Sequence, residues 1–521
     1  MSNEHSRGPW IVSVAFNWHD SSVAIARGPH VHLVLEAERV FRVKKCRCDA
    51  QQMNDLVMLA LKEVNIEPDD VEIWCGTAFG NRWLAEDAVA HEEVEWRSLS
   101  ILGRSVSFRC VNHHRSHAAM FFASPDSEAV VISCDGGGDN ETHVSFLGRG
   151  LELERLEPTS TMGRFSSVFY DRASFCLYGQ YRQEGKFMGL AGWGEANEKL
   201  RQELTGQMAA ICNLKEEEGV DLLRKIYPLP PFDPDDRKIR TFAATVQLVF
   251  EEFRLTTARE HRKFDSNLVL VGGSGLNVLA NHRILEEADY ASVYVPPCCD
   301  DTGQALGALL DTIATELGER PVVDLPFVGR EIDSPHAQEE QITEVVRDLM
   351  NGKVIIWHSG RSEIGPRALG HRSLLADPST PHMKTLVSEI LKKREFYRPV
   401  APLVMAEHAS DWFNLRMPSP YMNFAASTTE LCRKTAPAVV HVDGSARVQT
   451  IAVDGDRTLR ALLAQFYEQT GIPILINTSL NGPNQPICDT VADSLQWLGQ
   501  VRESGFGDRV ALVVNGCRQD L

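Results

Sequence analysis

His113 and His117 stand four residues apart in His113-His114-Arg115-Ser116-His117. On a helix that spacing puts both imidazoles on one face, about 6 Å apart at Cβ, where two nitrogens can share one metal ion. A third, oxygen ligand is available from Asp301 in the distant Asp300-Asp301-Thr302-Gly303 turn. The competing reading is a partly buried polar helix face. His114 points elsewhere, as a base or as a plain hydrogen-bonding group. A second set of residues is cationic: Arg361, Arg367 and Arg372 in the Gly- and Pro-containing run 360–373, then Lys392-Lys393-Arg394-Glu395-Phe396-Tyr397-Arg398-Pro399. Arginines flanked by glycine and proline can present rigid planar forks to an oxyanion. Asn477-Thr478-Ser479-Leu480-Asn481 adds short uncharged donors. Together they describe a pocket for a small phosphate or carboxylate compound; arginines paired with acidic neighbours on a solvated face are the alternative.

Two glycine-rich stretches, Asp135-Gly136-Gly137-Gly138 and Gly272-Gly273-Ser274-Gly275, each follow an apolar β-like run. Glycine lets backbone N–H groups approach a phosphate closely, although neither stretch is a Walker loop or a dinucleotide fingerprint. Each reads as a tight turn after a strand, and the pair favours a nucleotide cleft. His19-Asp20-Ser21-Ser22 and the 36–44 stretch are polar clusters beside strands, a charged surface being the default. Glu184-Gly185-Lys186 places a charged pair in a glycine-flanked loop, or in a helix cap and turn.

The elements that must position these residues follow from patterning. Residues 10–16, 23–26 and 31–35 read as a strand and a hairpin turned at Gly28-Pro29. Residues 50–64 read as a helix with Leu56, Met58, Leu59 and Leu61 on or near one face. Strands at 129–132 and 267–271 deliver the glycine stretches, and 304–317 reads as a helix. These repeated strand–turn units predict two related α/β halves around a nucleotide cleft. The Pro-, Gly- and charge-rich 321–335 stretch is the expected boundary, dividing the chain into 1–325 and 326–521. Beyond it come a helix at 342–349, a strand at 353–357 delivering the 361–373 loop, and a strand at 474–476 delivering 477–481.

Bulk composition limits the function classes. The chain has 521 residues, a formal net charge of −18 and 43% hydrophobic residues, which predicts more than one domain and an ample core. An acidic surface disfavours unaided nucleic-acid binding. No apolar run is long enough for a membrane span. The polar 1–9 stretch carries no secretory signal, so a cytoplasmic location is expected. Twelve cysteines without a CxxC fit reduced core thiols better than a zinc ribbon or a disulfide scaffold.

At this point the ordered motifs resemble the O-carbamoyltransferases that decorate antibiotics and nodulation factors. The resemblance spans nearly the whole chain: the turn at 19–22, Glu36-Ala37-Glu38-Arg39 with the Lys44-Lys45 pair, the histidine motif, Asp135-Gly136-Gly137-Gly138-Asp139, the 184–194 block, 271–277, 300–308, 360–378, 392–402, 441–450 and 477–481. It implies an α/β protein with an N-terminal domain of actin-like ATPase (ASKHA) architecture, similar to the universal tRNA threonylcarbamoyl transferase. The C-terminal domain would be a twisted-sheet α/β (YrdC-like) unit, similar to that enzyme's threonylcarbamoyl-adenylate-forming partner. Two steps are implied: carbamoyl phosphate and ATP give carbamoyl adenylate in the C-terminal domain, and an acceptor hydroxyl attacks it in the N-terminal one. Lys392, Arg398, Arg447 and Ser479 match the family's carbamoyl-phosphate site, with Arg367 and Asn477 as neighbours. His113, His117 and Asp301 match its metal ligands, usually for iron, with Mg2+ a further cation for ATP. Asp135, Gly136, Gly137, Gly272, Gly273 and Asn277 match the nucleotide cleft, and Lys44 lies near its phosphates. His19, Asp20 and His114 are the local candidates to deprotonate the alcohol. The chain departs from the pattern at Leu480, usually aromatic, and at Gln485, usually glutamate.

The expected partner is a small natural product with a free hydroxyl, with no nucleic acid or membrane, for a monomer or homodimer. Macrolide, aminoglycoside, cephem and sugar acceptors all present such a group. A fused tRNA threonylcarbamoylation enzyme is a rival that lacks a basic stripe to support it. A hydrogenase-maturation carbamoyltransferase would need zinc-finger cysteine pairs. A catalytically silent actin-like nucleotide-binding protein leaves the C-terminal cations unexplained.

Overall fold

The computed structural model describes residues 8–77, 93–157, 165–332, 334 and 339–519. Most of the 1–9 stretch and part of the 321–335 boundary lie outside the described residues.

Alternation of apolar residues builds the first sheet. β1 (Trp10–Ala15), β2 (Ser22–Arg27) and β3 (His30–Glu36) form an antiparallel meander. β4 (Val71–Thr77) joins β1 in parallel; β5 (Val94–Ile101) is an antiparallel edge on β6 (Arg104–Val111), which runs parallel to β4. The second sheet repeats the plan: β7 (Glu128–Gly138), β8 (Glu141–Arg149) and β9 (Glu152–Arg155) form a meander, then β10 (Asn267–Val271) and β11 (Ser292–Tyr294) add in parallel beside β7. The first sheet runs β3-β2-β1-β4-β6-β5 and the second β9-β8-β7-β10-β11; apart from the extra edge strand β5 they share one plan, a meander extended by two parallel strands, which is the actin-like ATPase architecture, so the two expected α/β halves are present.

The two-residue period decides what each sheet face meets. Ile11 and Ala15 face the space between the sheets, whereas Val12 and Val14 face the outer layer containing the Ala50–Glu63 helix. Val131 likewise faces inward while Val130 and Ile132 pack on the Arg237–His261 and Val278–Glu287 helices. The Gln304–Thr312 helix lies between the sheets with every residue buried. Its Asp311 carboxylate is paired at 2.9 Å with both Arg109 and Arg115, which offsets the cost of burying these charges. Gly307 lets this helix press against the His113–Ala118 helix, since a Cβ there would meet the Ser116 carbonyl oxygen at 2.0 Å.

The rest of the chain forms a second α/β body. β12 (Val354–His358), β13 (Arg372–Ala376) and β14 (Ala401–Met405) are followed by a small sheet of β15 (Phe413–Asn414), β16 (Ala425–Thr428) and β17 (Ser445–Arg447). β18 (Gln449–Ile451), β19 (Ile474–Ser479), β20 (Val510–Val514) and β21 (Cys517–Arg518) complete a mixed seven-stranded sheet in the order β18-β14-β19-β13-β12-β20-β21. Its core includes Trp357, Leu375, Leu463 and Ile476.

Several local expectations are corrected. Asp135 to Gly138 is not a turn after a strand: β7 continues through it with a register shift between Cys134 and Gly138, and the reversal falls at Asp139 and Asn140, both at positive φ. The 184–191 stretch is a helix rather than a loop. Met58 is 44% exposed, so it lies off the buried face formed by Met53, Leu56, Val57, Ala60 and Leu61. All twelve cysteines are free thiols, as the composition predicts. Among the described residues no helix is long and apolar enough to cross a membrane.

The two bodies are fastened by the segment that follows β3. Buried Arg39 pairs with Glu36 and donates to the Gly365 carbonyl at 2.8 Å, while Glu36 accepts the Gly365 N–H at 2.6 Å. Gly365 sits at φ +92° with its Cα against the Pro297 carbonyl, a place no side chain fits. Burial would lower the Arg39 pKa, but Glu36, Glu363 and Asp489 raise it, so the guanidinium stays charged. Burial raises the Glu36 pKa to about 8 even with Arg39 beside it, so Arg39→Ala removes the cation paired with a carboxyl held against its charged form in the seam. A loss of about 3–5 kcal/mol is expected in urea unfolding; an unchanged midpoint would show that the seam does not rely on this pair.

Candidate functional site

The 113–118 helix starts at Asn112, whose side chain accepts the His114 and Arg115 N–H groups at 2.9 and 3.2 Å. That cap and the close packing permitted by Gly307 bring His113 and His117 to the mouth of the inter-sheet space. Their rings lie 4.7 Å apart, edge to face. His113 Nε2 is 3.6 Å from Asp301 Oδ1, and His117 Nε2 is 3.3 Å from the same oxygen and 3.2 Å from Asp135 Oδ2. The four residues offer ligand atoms all within 4.8 Å of one another. Nε2 of His117 and Oδ1 of Asp301 are buried, yet neither makes a well-formed hydrogen bond. Two imidazole nitrogens and two carboxylates converging on one point fit a divalent cation of the borderline class. Asp135, read from sequence with the nucleotide cleft, thus stands in the donor set, with its Oδ2 also accepting the Gly273 N–H at 2.8 Å.

His19 and Asp20 lie beside this group. His19 Nδ1 is 2.8 Å from Asp20 Oδ2 and 3.6 Å from Asp301 Oδ2, and Lys45 Nζ is 3.4 Å from Asp20. Burial works against the Asp20 carboxylate, but Lys45 and His19 hold its pKa down to about 2. Asp20 is therefore an orienting anion and a poor base, whereas His19 keeps Nε2 available on a partly exposed ring. His114 is not with them. Its Nδ1 meets Ser133 Oγ at 2.8 Å and its Nε2 meets the Glu141 carbonyl at 3.0 Å, and burial pushes its pKa down to about 3. A neutral imidazole with both nitrogens occupied is an internal brace, so His114 drops out as a base.

The C-terminal cations do not all belong to one site. Arg372 is consumed by the carbonyls of Ser359, Gly360, Arg330 and Asp489, and Arg361 by those of His32, Val328 and Gly329. These two hold the 360–373 loop in shape rather than facing an oxyanion. Arg367, Arg447, Arg394, Arg398, Lys392 and Lys44 form a different kind of group. Burial depresses the pKa of Arg447, and Arg367, Arg394 and Arg398 depress it further. Arg394 is pushed down to about 9 by burial, then by Arg398 and Arg367, and Lys392 falls by burial, Arg394 and Arg398. Lys44 is lowered by burial, with Arg398 and Arg394 adding to it. Nε of Arg367 and of Arg447 is buried with no hydrogen-bond partner among the described residues. Like charges held together this way leave an unmet demand for an anion.

Uncharged donors frame the cluster. Lys392 Nζ donates to the Ser479 carbonyl, to Ser479 Oγ and to Asn481 Oδ1, and Arg394 donates to Thr478 Oγ1 at 3.0 Å and Ser479 Oγ at 3.1 Å. Asn477, fully buried, bonds Gln449 Oε1 at 2.7 Å and the Ala368 carbonyl at 3.2 Å, so it positions the Arg367 loop instead of facing it. Asn277 also has a bracing role: it caps the Val278–Glu287 helix and bonds Gln247. Gly136 and Gly137 border open space, and Gly272, at φ +83°, packs on Cys134. Leu480 is part of the core, and Gln485 steadies the Gly482 turn, so neither departure touches the cations. Sequence reasoning held Arg394 only within the cationic run and Lys45 only within the 36–45 block, and gave neither a role of its own. Both adjoin residues it chose, and the doubled Lys44-Lys45 was the available signal.

Comparison with known proteins agrees with these motifs. The family model "Carbamoyltransferase C-terminus" matches residues 346–504, and "Carbamoyltransferase N-terminus" matches residues 100–310. Nodulation protein U of Rhizobium fredii is 38% identical over 92% of this chain and 91% of its own length. Nodulation protein NolO of Bradyrhizobium diazoefficiens is 32% identical over 74% of this chain and 75% of its own length. Among solved structures, component A of the (R)-2-hydroxyglutaryl-CoA dehydratase of Acidaminococcus fermentans covers 58% of this chain and 96% of its own at 12% identity and a TM-score of 0.36.

If the cationic group is an anion site, inorganic phosphate will stabilise the protein by mass action, about 2.7 kcal/mol at one hundred times its dissociation constant. Thermal melts with phosphate should show this rise in the wild type and little of it in Arg447→Ala. Equal rises in both would place phosphate elsewhere.

Proposed function

Since this chain belongs to the carbamoyltransferase family, we propose that it makes carbamoyl adenylate from carbamoyl phosphate and ATP and passes the carbamoyl group to a hydroxyl of a small natural product. The group of buried Lys392 and half-buried Arg367, Arg394, Arg398 and Arg447 carries the reading, because a small dianion such as carbamoyl phosphate answers its charge. Water cleaves carbamoyl phosphate to carbamate and phosphate. A carbamate oxygen then attacks the α-phosphorus of ATP, forming carbamoyl adenylate and releasing pyrophosphate. The acceptor oxygen finally attacks the carbamoyl carbon, AMP leaves, and the alcohol proton is taken up by a base.

The residues divide this work. Arg394 and Lys392, steadied by Thr478, Ser479 and Asn481, hold the phosphoryl oxygens. Burial of the cluster keeps water away from labile carbamate except where it is required. Lys44, within electrostatic reach of Arg394 and Arg398, meets the nucleotide phosphates, and Gly136 and Gly137 leave room for them. His19 takes the alcohol proton at Nε2 while Asp20 fixes its ring through Nδ1. His113, His117, Asp135 and Asp301 would hold a divalent cation, Fe2+ by family resemblance, which when bound neutralises phosphate charge and polarises the carbonyl. Such an enzyme acts on a soluble small molecule in the cytoplasm.

ATP and carbamoyl phosphate should be consumed together, with AMP, pyrophosphate and phosphate as products. Lys392→Ala should slow adenylate formation roughly 30- to 4000-fold, about 2–5 kcal/mol for removing one charged partner of a buried anion. It should leave use of supplied carbamoyl adenylate largely intact. Mass spectrometry of the nucleotides decides; ADP as sole product would sink the adenylate route.

His117→Ala should reverse the pattern. Bound iron or zinc, read by elemental analysis, should fall with the loss of one ligand, and carbamoyl transfer should slow while adenylate formation persists. Normal metal content together with normal transfer would reduce the histidines to a polar helix face.

A further inference from the structure

The chain from Lys45 to Cys48 grips the turn that carries His19 at each of its four residues. Lys45 Nζ is 3.4 Å from Asp20 Oδ2. The Cys46 carbonyl accepts the Ser21 N–H at 3.2 Å, and the Cys48 N–H donates to Ser21 Oγ at 3.4 Å. Between the two cysteines, the Arg47 guanidinium lies 4.1 Å over the ring of Trp18, which is half exposed. Asp20 and Lys45 both sit at positive φ, 55° and 52°, a conformation that residues with a side chain rarely adopt and that neighbouring contacts must hold. We propose that Cys46 and Cys48 are a redox modification site at the centre of this grip: a hydroperoxide converts the two thiols to a disulfide, and closing that ring loosens the His19 turn, whatever reaction His19 serves.

The pair has what such chemistry needs. Both cysteines pack in the outer core beside the Ala50–Glu63 helix, while Val43, Arg47 and Asp49 around them are exposed, so the sulfurs lie just beneath the surface. Two positions apart in the chain, their Cα atoms are separated by no more than about 7 Å, and a disulfide spans about 4.4–6.8 Å. Closure therefore bends the backbone at Arg47, the residue stacked on Trp18, without moving a strand or a helix. The thiols already interact: a hydrogen bond from Cys48 lowers the Cys46 pKa, and the same contact, with burial, raises that of Cys48. Cys46 is the attacking thiol of the pair and Cys48 the resolving one. Cys298 and Cys299, adjacent in the chain, lack this asymmetry, because burial raises both.

The steps balance. The Cys46 thiolate attacks one oxygen of hydrogen peroxide; the S–O bond forms, the O–O bond breaks, and the departing hydroxide leaves as water with the proton that Cys46 released. The Cys48 sulfur then attacks the Cys46 sulfur; the S–S bond forms, the S–O bond breaks, and a second water leaves with the Cys48 proton. Two thiols and one peroxide give one disulfide and two waters, the sulfurs passing two electrons to oxygen. A dithiol reductant reverses the change by exchange. Ring closure moves Arg47 on Trp18 and draws the Cys46 carbonyl and the Cys48 N–H away from Ser21, so Asp20 loses part of the support that aims it at His19.

The full chain is treated with hydrogen peroxide, alkylated and mapped by mass spectrometry without reduction. A cross-link between Cys46 and Cys48 is expected, removed by dithiothreitol. Trp18 emission should change with it and recover on reduction, a signal that Trp18→Phe abolishes. Hydrogen exchange at the Ser21 amide should speed up roughly tenfold in the cross-linked protein, the equilibrium worth of about one hydrogen bond. Cys48→Ser should show neither the cross-link nor the recoverable emission change. Since that variant alters a buried thiol, oxidation and recovery of the wild type are read without it. Absence of the cross-link in the wild type overturns the inference, as does a cross-link that leaves Trp18 emission and Ser21 exchange unchanged.

Discussion

Mutual repulsion among buried cations is the constraint around which the C-terminal body is organised. Arg367, Arg394, Arg447 and Lys392 all have their charged forms disfavoured, first by burial and then by one another or by neighbouring Arg398. Left alone, such side chains would swing toward water. They are held by covalently short, heavily bonded supports: β13 and β19 pair antiparallel directly beneath them, Asn477 ties the Arg367 loop to Gln449, and Arg372 fixes the same loop through several carbonyls. The stability of the sheet core supplies what the cluster costs.

The same constraint explains why the two bodies are fastened as they are. The short segment after β3 carries Arg39 into the C-terminal body, Arg42 onto the Ile487 and Pro486 carbonyls, Lys44 toward Arg394 and Arg398, and Lys45 to Asp20. Lys44 and Lys45 are adjacent yet serve opposite sides, the first beside cations and the second beside carboxylates. Their pKa values move in opposite directions for that reason: Lys44 is lowered by burial and by arginines, whereas Lys45 is raised by Asp20, Asp300 and Asp301 despite burial. A shift of this segment would move the cationic cluster's Lys44 and the His19 group's Lys45 together, since the two residues are adjacent in the chain.

How much of this was legible in the sequence depended on whether the signal was local. Strand positions followed from alternation, and the paired histidines from helical spacing, because both are set by neighbours along the chain. The duplicated sheet plan was legible as two strand–turn units but not in its strand order. Roles that depend on distant partners were not. Nothing near Arg361 and Arg372 marks them as structural, because the carbonyls they bind come from residues 328–330 and 489 as well as from their own loop. His114 looked like a base beside two ligands until Ser133 and Glu141 occupied its ring. Asp135 was placed with the nucleotide cleft by family resemblance; that the irregularity in β7 also brings its carboxylate to His117 has no local signal in the sequence.

The overall charge of −18 sets a further condition on the site. A protein this acidic repels small anions at long range, so electrostatic steering would not supply affinity for the anions proposed above. Affinity must come from contacts at hydrogen-bond distance, where burial strengthens each one and mobile ions are excluded. Exposed charges more than about 10 Å apart are screened at ordinary salt, while buried pairs are screened far less. Capture of substrate here should therefore depend weakly on ionic strength, in contrast to an enzyme that gathers anions with a basic surface. The acidic exterior and the cationic cluster are thus of opposite sign, and contacts made at the cluster are the ones that burial strengthens.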